Sequence, residues 1–127
     1  MNLIVAPEAL ADTWPKVERW LAAAVDRNQG DENLLDVLLA IARGHYLLWH
    51  EDGKWAAVVQ IVKFPRQTVA TVLYCGGSDL EAMKAAFEYG RQWAREHGID
   101  VVRTYGRKGW ARVIGLEQQG VILQAGV

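Results

Sequence analysis

The feature that most constrains the fold is a long helical segment between two segments with the pattern of β-strands. Residues 68–74 and 99–105 are rich in β-branched and apolar side chains, whereas residues 78–97 carry apolar side chains at helical spacing up to Gly98. Two strands joined by a helical crossover lie parallel within one sheet. Residues 68–105 therefore predict a β-α-β unit.

The segments on either side of this unit complete an α/β (α+β) fold with the order ααβββαβαβ. The predicted elements are helices capped by Asp12 or Thr13 and by Asp31, strands at residues 46–49, 55–62, 68–74, 99–105 and 121–124, and helices at residues 78–97 and 107–119. The apolar residues predicted to face inward from the second helix are Leu34, Leu35, Leu38, Ile41 and Ala42. The first three strands predict an antiparallel meander, so the central sheet is mixed and has helices on both faces.

Size, charge and cysteine content exclude several classes of protein. A chain of 127 residues suits a single domain, residues 1–127, and it contains no apolar run of the roughly 18 residues that a membrane span needs. A net charge of -1 provides no field for nucleic acid or a membrane surface. We expect a reducing cytoplasm, because the single cysteine allows no intrachain disulfide and the amino terminus has no secretory signal. The three histidines lack metal-ligand spacing, so no metal site is predicted.

Glycines mark both corners at which the strands of the β-α-β unit end. Cys75-Gly76-Gly77 follows the first strand, and Gly106-Arg107-Lys108-Gly109 follows the second. In α/β proteins, ligands bind beyond the carboxyl ends of parallel strands. A functional site is therefore expected at one or both corners.

Short motifs spread over nearly the whole chain accompany this order of elements. They are Asp12-x-Trp14-Pro15, Leu48-Trp49, Pro65-Arg66, Cys75-Gly76-Gly77, Trp93-Ala94, Gly98 and Gly106-Arg107-x-Gly109-Trp110-x-Arg112. Together they resemble the GNAT fold of the acyl-CoA N-acyltransferases, and most closely the small GNAT-like proteins of tailed bacteriophages and prophages. The resemblance implies a protein located in the cytoplasm of the bacterial host or associated with the virion.

One function that the resemblance implies is an acyl-CoA-dependent N-acyltransferase with acetyl-CoA as its cofactor. The residues expected near the CoA phosphates are Gly76, Gly77 and Ser78. The catalytic acid would be Tyr105 or Tyr74, because the last predicted helix contains no tyrosine. Cys75 is either a nucleophile or, as is more common for a free cysteine, a buried residue.

The first corner departs from the phosphate-binding pattern of the family. It lacks the arginine of the usual loop, and Ser78-x-x-Glu81 predicts a capping box that takes up the N–H groups at the helix start. Asp79 and Glu81 add negative charge there, which repels a pyrophosphate. These departures favour a structural turn at this corner.

The second corner carries a cluster of cations with no acid among them. The residues expected to bind an anion or a partner are Arg103, Arg107, Lys108, Trp110 and Arg112. A phosphate-bearing ligand or an acidic surface of a partner protein would balance the charge. The alternatives are a solvated face balanced by Glu117 or Asp100, with Trp110 as an anchor in the core.

The sequence thus predicts a phage or prophage GNAT-fold protein that has lost its catalytic residues. We expect it to act in binding or virion assembly through the surface formed by residues 103–112. The one candidate cofactor is acetyl-CoA, and the sequence does not require it. The partner is expected to be another phage protein or a second copy of the chain, since the absence of the usual final hairpin leaves a sheet edge exposed. The alternative is an active N-acyltransferase of unknown acceptor.

Overall fold

The computed structural model describes residues 2–28, 30–105, 115–120 and 122–126. Its elements are a 3₁₀ turn at Pro7–Ala9, helices α1 (Leu10–Val25), α2 (Leu34–Ala42) and α3 (Leu80–Glu96), and strands β1 (Leu47–Glu51), β2 (Trp55–Lys63), β3 (Thr68–Gly77) and β4 (Val101–Thr104). This order confirms the predicted ααβββαβ portion of the chain.

The four strands form one mixed sheet in the order β1-β2-β3-β4. The first three are antiparallel neighbours, and β4 runs parallel to β3, as the sequence predicts. Residues 3–5 lie along the outer edge of β1, where the Val5 N–H donates to the Leu48 carbonyl at 2.8 Å and the His50 N–H donates to the Leu3 carbonyl at 2.9 Å. This segment protects the β1 edge from pairing with another chain.

Helices cover both faces of the sheet, which confirms the predicted layers. Helices α1 and α2 pack on one face through Val17, Leu21 and Val37, which have essentially no exposed surface. Helix α3 packs on the other face through Ala86 and Ala94. Because β2 lies between two layers of helices, residues 55–59 form an unbroken apolar run instead of an alternating pattern.

The first two helices begin at positions different from those predicted. Helix α1 continues directly from the 3₁₀ turn, so Asp12 and Thr13 lie inside it and do not cap it. Helix α2 is capped by Asn33 instead of Asp31: the Asn33 side chain accepts from the Asp36 N–H, and the Asp36 carboxylate accepts from the Asn33 N–H, both at 2.9 Å. This reciprocal pair satisfies two donors at the helix start.

Two further predictions are wrong within the described residues. In α2, Leu35 and Ala42 are exposed, although the sequence placed them in the core. Toward the C-terminus, residues 116–120 and 122–126 form neither helix nor strand, so the helix predicted over residues 107–119 and the strand over 121–124 do not extend through them. Gly115 has a φ of 70°, a left-handed conformation that interrupts a helix. The remainder of both predicted elements lies outside the described residues.

No helix in the described part of the chain is long and apolar enough to cross a membrane.

Candidate functional site

The described pairing of β3 with β4 stops halfway along β3. It ends at Val72 and Thr104, whereas β3 continues to Gly77. The Thr104 hydroxyl donates to the Val72 carbonyl at 3.2 Å beside this last pair. We refer to the edge of β3 beyond it, residues 73–77, which has no strand partner on that side among the described residues, as the β3 opening.

A β-bulge lies at the point where the β3 opening begins. Val58 of β2 pairs with Tyr74, but its neighbour Val59 pairs with Val72, which leaves Leu73 as an extra residue in β3. Leu73 and Tyr74 consequently both pack toward α1 and α2. A bulge bends its strand and increases the local twist, so β3 changes direction at the point where its described pairing with β4 ends.

On the α3 side, the β3 opening adjoins an apolar cleft with a volume of about 100 Å³. Val72, Cys75, Met83 and Phe87 are among the residues that line it. Burial raises the pKa of the Cys75 thiol to about 11, so the thiol is protonated at neutral pH. Because the thiolate is the reactive form, the raised pKa disfavours a nucleophilic role for Cys75 and favours the interpretation of a residue that lines the cleft.

On the opposite face, Tyr74 belongs to a polar cluster with the loop between α1 and α2. Its hydroxyl donates to the Glu32 carboxylate at 2.6 Å and accepts from the Asn28 side chain at 3.2 Å. The Tyr46 hydroxyl donates to the same carboxylate at 3.1 Å. Asn28 also donates to the Glu32 carbonyl at 2.9 Å, which braces the loop. We refer to Asn28, Glu32, Tyr46 and Tyr74 as the Glu32 cluster.

The Glu32 cluster keeps both tyrosines protonated. Burial, followed by the hydrogen bond to Glu32, raises the pKa of Tyr74 far above its usual value. Burial and the negative charge of Glu32 likewise raise the pKa of Tyr46. The Tyr74 proton is engaged by Glu32 on the face away from α3, so the geometry does not present it as a free acid in the β3 opening.

Sequence reasoning identified Tyr74 but missed its partners. Glu32 and Tyr74 are 42 residues apart in the chain, and no local pattern connects them. A polar loop between two helices gave no indication of the contact, because such loops are rich in Asn, Asp and Glu for conformational reasons alone.

The glycines at the end of β3 are required by packing. A Cβ atom at Gly77 would lie 2.4 Å from the Lys54 carbonyl oxygen and 2.6 Å from the Trp55 Cα. One at Gly76 would lie 2.8 Å from the Trp20 carbonyl oxygen. The hairpin between β1 and β2 and the helix α1 thus approach this corner at backbone contact distance.

The N–H groups of the same corner are bonded within the chain. Those of Ser78 and Asp79 both donate to the Lys54 carbonyl, at 2.9 and 3.3 Å. The predicted Ser78-x-x-Glu81 capping box is wrong: Asp79 caps α3 by accepting from the Ala82 N–H at 3.0 Å, and the Ser78 hydroxyl donates to the Gly53 carbonyl at 3.2 Å. The N–H groups of Ser78, Asp79 and Ala82 are nevertheless bonded within the chain, which is the kind of internal satisfaction that the capping-box argument expected. That Gly76, Gly77 and Ser78 contact a cofactor stays a prediction.

The structure describes two of the residues predicted at the second corner. Tyr105 follows β4 and is 63% exposed. Arg103 is half-buried, and its guanidinium lies 5.9 Å from the centre of the Phe64 ring, within cation–π distance. The other predicted residues of this site, Arg107, Lys108, Trp110 and Arg112, lie outside the described residues.

The described part of the chain contains no group of three His, Cys, Asp or Glu residues that could hold a metal ion.

Comparisons with solved structures identify the fold. A probable acetyltransferase superposes with a TM-score of 0.71 at 9% identity, over 100% of this chain and 99% of that one. The aminoglycoside acetyltransferase meta-AAC0020 from an uncultured soil metagenomic sample, solved with sisomicin, gives a TM-score of 0.68 at 12% identity, over 98% and 93% of the two chains. The chain has the GNAT acetyltransferase fold.

A third solved structure extends this likeness to a protein of similar size. TTHA1254 from Thermus thermophilus is 20% identical with a TM-score of 0.62, over 100% of this chain and 97% of that one. No family model matches the sequence, and no curated protein matches it. At these identities the likeness concerns the GNAT fold alone.

Proposed function

We propose that this GNAT-fold chain is a binding protein that does not use acetyl-CoA, and that it acts in the assembly of a phage particle, as its sequence resemblance implies. The observation that carries the first part is the closed corner after β3. There the β1–β2 hairpin lies at backbone contact distance from Gly77, and its Lys54 carbonyl accepts from the N–H groups of Ser78 and Asp79. A pyrophosphate at a helix start is bound by free N–H groups, so these contacts disfavour it.

Three properties of this corner disfavour a phosphate. The Lys54 carbonyl is an acceptor that already takes the N–H groups of Ser78 and Asp79, and an acceptor beside these groups repels an anion. The Asp79 carboxylate occupies the cap of α3. Glu81 adds a second negative charge in the first turn, balanced in part by Lys84 at 3.6 Å. The positive end of the helix dipole is therefore neutralised by the chain itself.

The groups near the β3 opening are also poorly suited to catalysis. Acyl transfer to an amine requires a group that accepts the amine proton and commonly a second group that protonates the leaving thiolate. Residues 68–77 contain no carboxylate or histidine. The Tyr74 proton is engaged by Glu32, and the half-buried Cys75 thiol has a raised pKa that keeps it protonated.

The binding partner that best fits the predicted basic surface is a protein with an acidic face. Residues 103–112 contain four cations and no acid. Arginine is the side chain best suited to pairing with carboxylates across an interface, because its planar guanidinium offers several donors in a rigid array. Binding through these residues would balance a charge that no acid within residues 103–112 balances.

The decisive experiment is titration of the purified chain with acetyl-CoA by calorimetry. We expect no binding at a ligand concentration of about 1 mM, and the double variant Asp79→Asn with Glu81→Gln should not create any. This variant keeps an acceptor at the helix cap while it removes both charges. A micromolar dissociation constant for the native chain contradicts the proposal. Binding gained only by the variant would show that charge alone, and not the occupied N–H groups, excludes CoA.

The assembly role has a separate test. Mass spectrometry of purified particles of a phage that encodes this chain should detect it at a constant copy number per particle. Its absence from particles and from their assembly intermediates would contradict the role in assembly, whatever the outcome with acetyl-CoA.

One observation favours the alternative of an active N-acyltransferase. The bulge at Leu73 and the β3 opening leave part of an edge of β3 without a strand partner among the described residues, as a thioester ligand lying along the strand would require. If acetyl-CoA binds, Arg107→Ala and Arg112→Ala should each weaken binding, and amine-dependent release of free CoA thiol would then establish transfer. Binding without thiol release in the presence of amines would exclude it.

A further inference from the structure

Helix α2 is apolar on the side that faces away from the sheet as well as on the side that faces it. Its sequence, LLDVLLAIA, contains a single polar residue, Asp36. Val37 is fully buried against α1 and the sheet, and Leu34 and Ile41 pack beside it. On the outer side, Leu35 is 60% exposed and Leu39 is 39% exposed. A helix that is apolar all round is normally buried all round.

The exposed apolar residues of α2 form one continuous stripe. Leu35, Leu39 and Ala42 follow one another at intervals of four and three residues, so they lie on one face of the helix. All three are exposed. We refer to them as the α2 stripe.

Two opposite charges flank the α2 stripe on the same side. Asp36 lies in the first turn, and Arg43 is the C-cap residue about two turns, or about 10 Å, further along. Both are exposed, and Arg43 takes part in none of the salt bridges formed by the described residues. The Asp36 carboxylate also caps the helix, but a carboxylate has acceptor capacity for further donors.

We propose that the α2 stripe is an interface with a second copy of this chain, in which the two α2 helices pack antiparallel around a two-fold axis. In this arrangement Leu39, near the middle of the helix, contacts its own counterpart, and Leu35 contacts Ala42 of the second copy. Asp36 of each copy lies beside Arg43 of the other, because both charges flank the stripe on the same side. The dipoles of the two helices are then antiparallel, which is the favourable arrangement for neighbouring helices.

The occupant is a second copy because the surface is complementary to itself. A two-fold interface uses the same patch on both subunits and requires that each feature meet its complement within that patch. The α2 stripe has an apolar centre at Leu39, which matches itself, and opposite charges three residues before and four residues after that centre. This surface is separate from the sheet edge through which the sequence predicts self-association.

The interface is small, so the dimer is weak. Helix α2 has nine residues and is therefore about 13 Å long, and two such helices bury less than the roughly 1,200 Å² of a stable specific complex. The association should consequently be visible in sedimentation velocity between about 10 μM and about 1 mM protein, where weak dimers form and dissociate. Over this range the weight-average mass should rise from 14.2 kDa toward twice that value.

Matched substitutions test both the stripe and its register. Leu39→Glu should weaken association at least tenfold, because it places two carboxylates against each other at the axis, whereas Leu80→Glu, at a leucine that is 48% exposed on α3, should leave it unchanged. Arg43→Glu should weaken association more than Arg66→Glu, an equal charge change at another exposed position. Leu35→Glu repeats the first test if Leu39→Glu loses helix content by circular dichroism.

Three results would overturn the proposal. The first is a mass that stays at 14.2 kDa over the whole concentration range. The second is a dimer that Leu39→Glu or Leu35→Glu affects no more than Leu80→Glu, since the interface would then lie elsewhere. The third is an equal effect of Arg43→Glu and Arg66→Glu, which would contradict the antiparallel register.

Discussion

Replacing Gly77 with alanine tests whether the corner after β3 is closed as tightly as the structure indicates. The added Cβ would lie 2.4 Å from the Lys54 carbonyl oxygen, 2.6 Å from the Trp55 Cα and 2.7 Å from the Trp55 Cβ. Real Cβ contacts are almost never shorter than 3.0 Å. The nearest two atoms are backbone, which cannot rotate away, so the β1–β2 hairpin must move by about 0.6 Å or more from the end of β3.

The energetic cost of this movement has two contributions. Over-packing in a region of close contact costs about 1–3 kcal/mol. The movement also stretches the hydrogen bonds that Ser78 and Asp79 donate to Lys54, and losing one costs about 0.5–1.5 kcal/mol. Alanine returns about 0.4–1 kcal/mol by restricting the unfolded chain. The free energy of unfolding should therefore fall by about 2–3 kcal/mol, and Tm by roughly 6–15 °C for a domain of this size.

Gly90→Ala is the matched control. Gly90 lies within α3 and has no positive φ, and a Cβ atom added there would have no neighbour within 4 Å with which to clash. Alanine in a helix interior is favoured over glycine by about 0.5–1 kcal/mol, so this variant should be more stable than the native chain. Urea unfolding and differential scanning calorimetry of both variants provide the measurements. A Gly77→Ala variant as stable as the native chain would refute the closed corner and remove the main argument against a phosphate site there.

Three further predictions concern the Glu32 cluster, Cys75 and the start of α2. Because the pKa of Tyr74 is raised in the folded chain, Tyr74 keeps a proton that the unfolded chain loses above pH 10.0. The free energy of unfolding should therefore fall as pH rises through that value. Urea unfolding at several pH values should show a less steep fall for Tyr74→Phe than for the control Tyr105→Phe. Equal slopes for the two variants would contradict this. Cys75, with a pKa of about 11, should react with a thiol reagent at least tenfold more slowly at pH 8 in the folded chain than in urea, and an equal rate would contradict its burial. Asn33→Ala should lower the free energy of unfolding by about 1 kcal/mol in the same assay, because it removes the acceptor for the Asp36 N–H, and Asn33→Asp should restore most of the loss.

The β-α-β unit could be predicted because its information is local. The strand pattern and the helical spacing each lie within one element, and the parallel pairing of β3 and β4 follows from the length of the crossover. The start of α3 was less predictable, since it depends on a contact with a distant part of the chain. Ser78 would have been a good cap for α3, but its hydroxyl is bonded to the hairpin at Gly53, and Asp79 caps the helix instead.

Helix α2 and the Glu32 cluster show two different limits of sequence reasoning. In α2 almost every position is apolar, so periodicity cannot identify the inner face, and Leu35 was wrongly assigned to it. The Glu32 cluster joins a loop to a strand through side chains whose proximity is decided only by the packing of α1 on the sheet. The bulge at Leu73 is of the same kind, because a single extra residue leaves the strand pattern intact but places two neighbours on one face.

The β3 opening and the closed corner carry unequal weight in deciding between binding and catalysis. The β3 opening begins at the bulge, and the bulge belongs to the register in which β2 pairs with β3. This register buries side chains on both faces of the sheet, because Val58 packs toward α1 and Val59 packs toward α3. Removing the bulge would turn half of a strand over, so it persists for reasons of stability whether or not a ligand lies beside it. The corner is instead closed by contacts that strand pairing does not require, chiefly the two N–H groups that donate to Lys54 and the Asp79 cap. The closed corner therefore carries more weight than the β3 opening in the proposal that this chain binds a partner and does not use CoA.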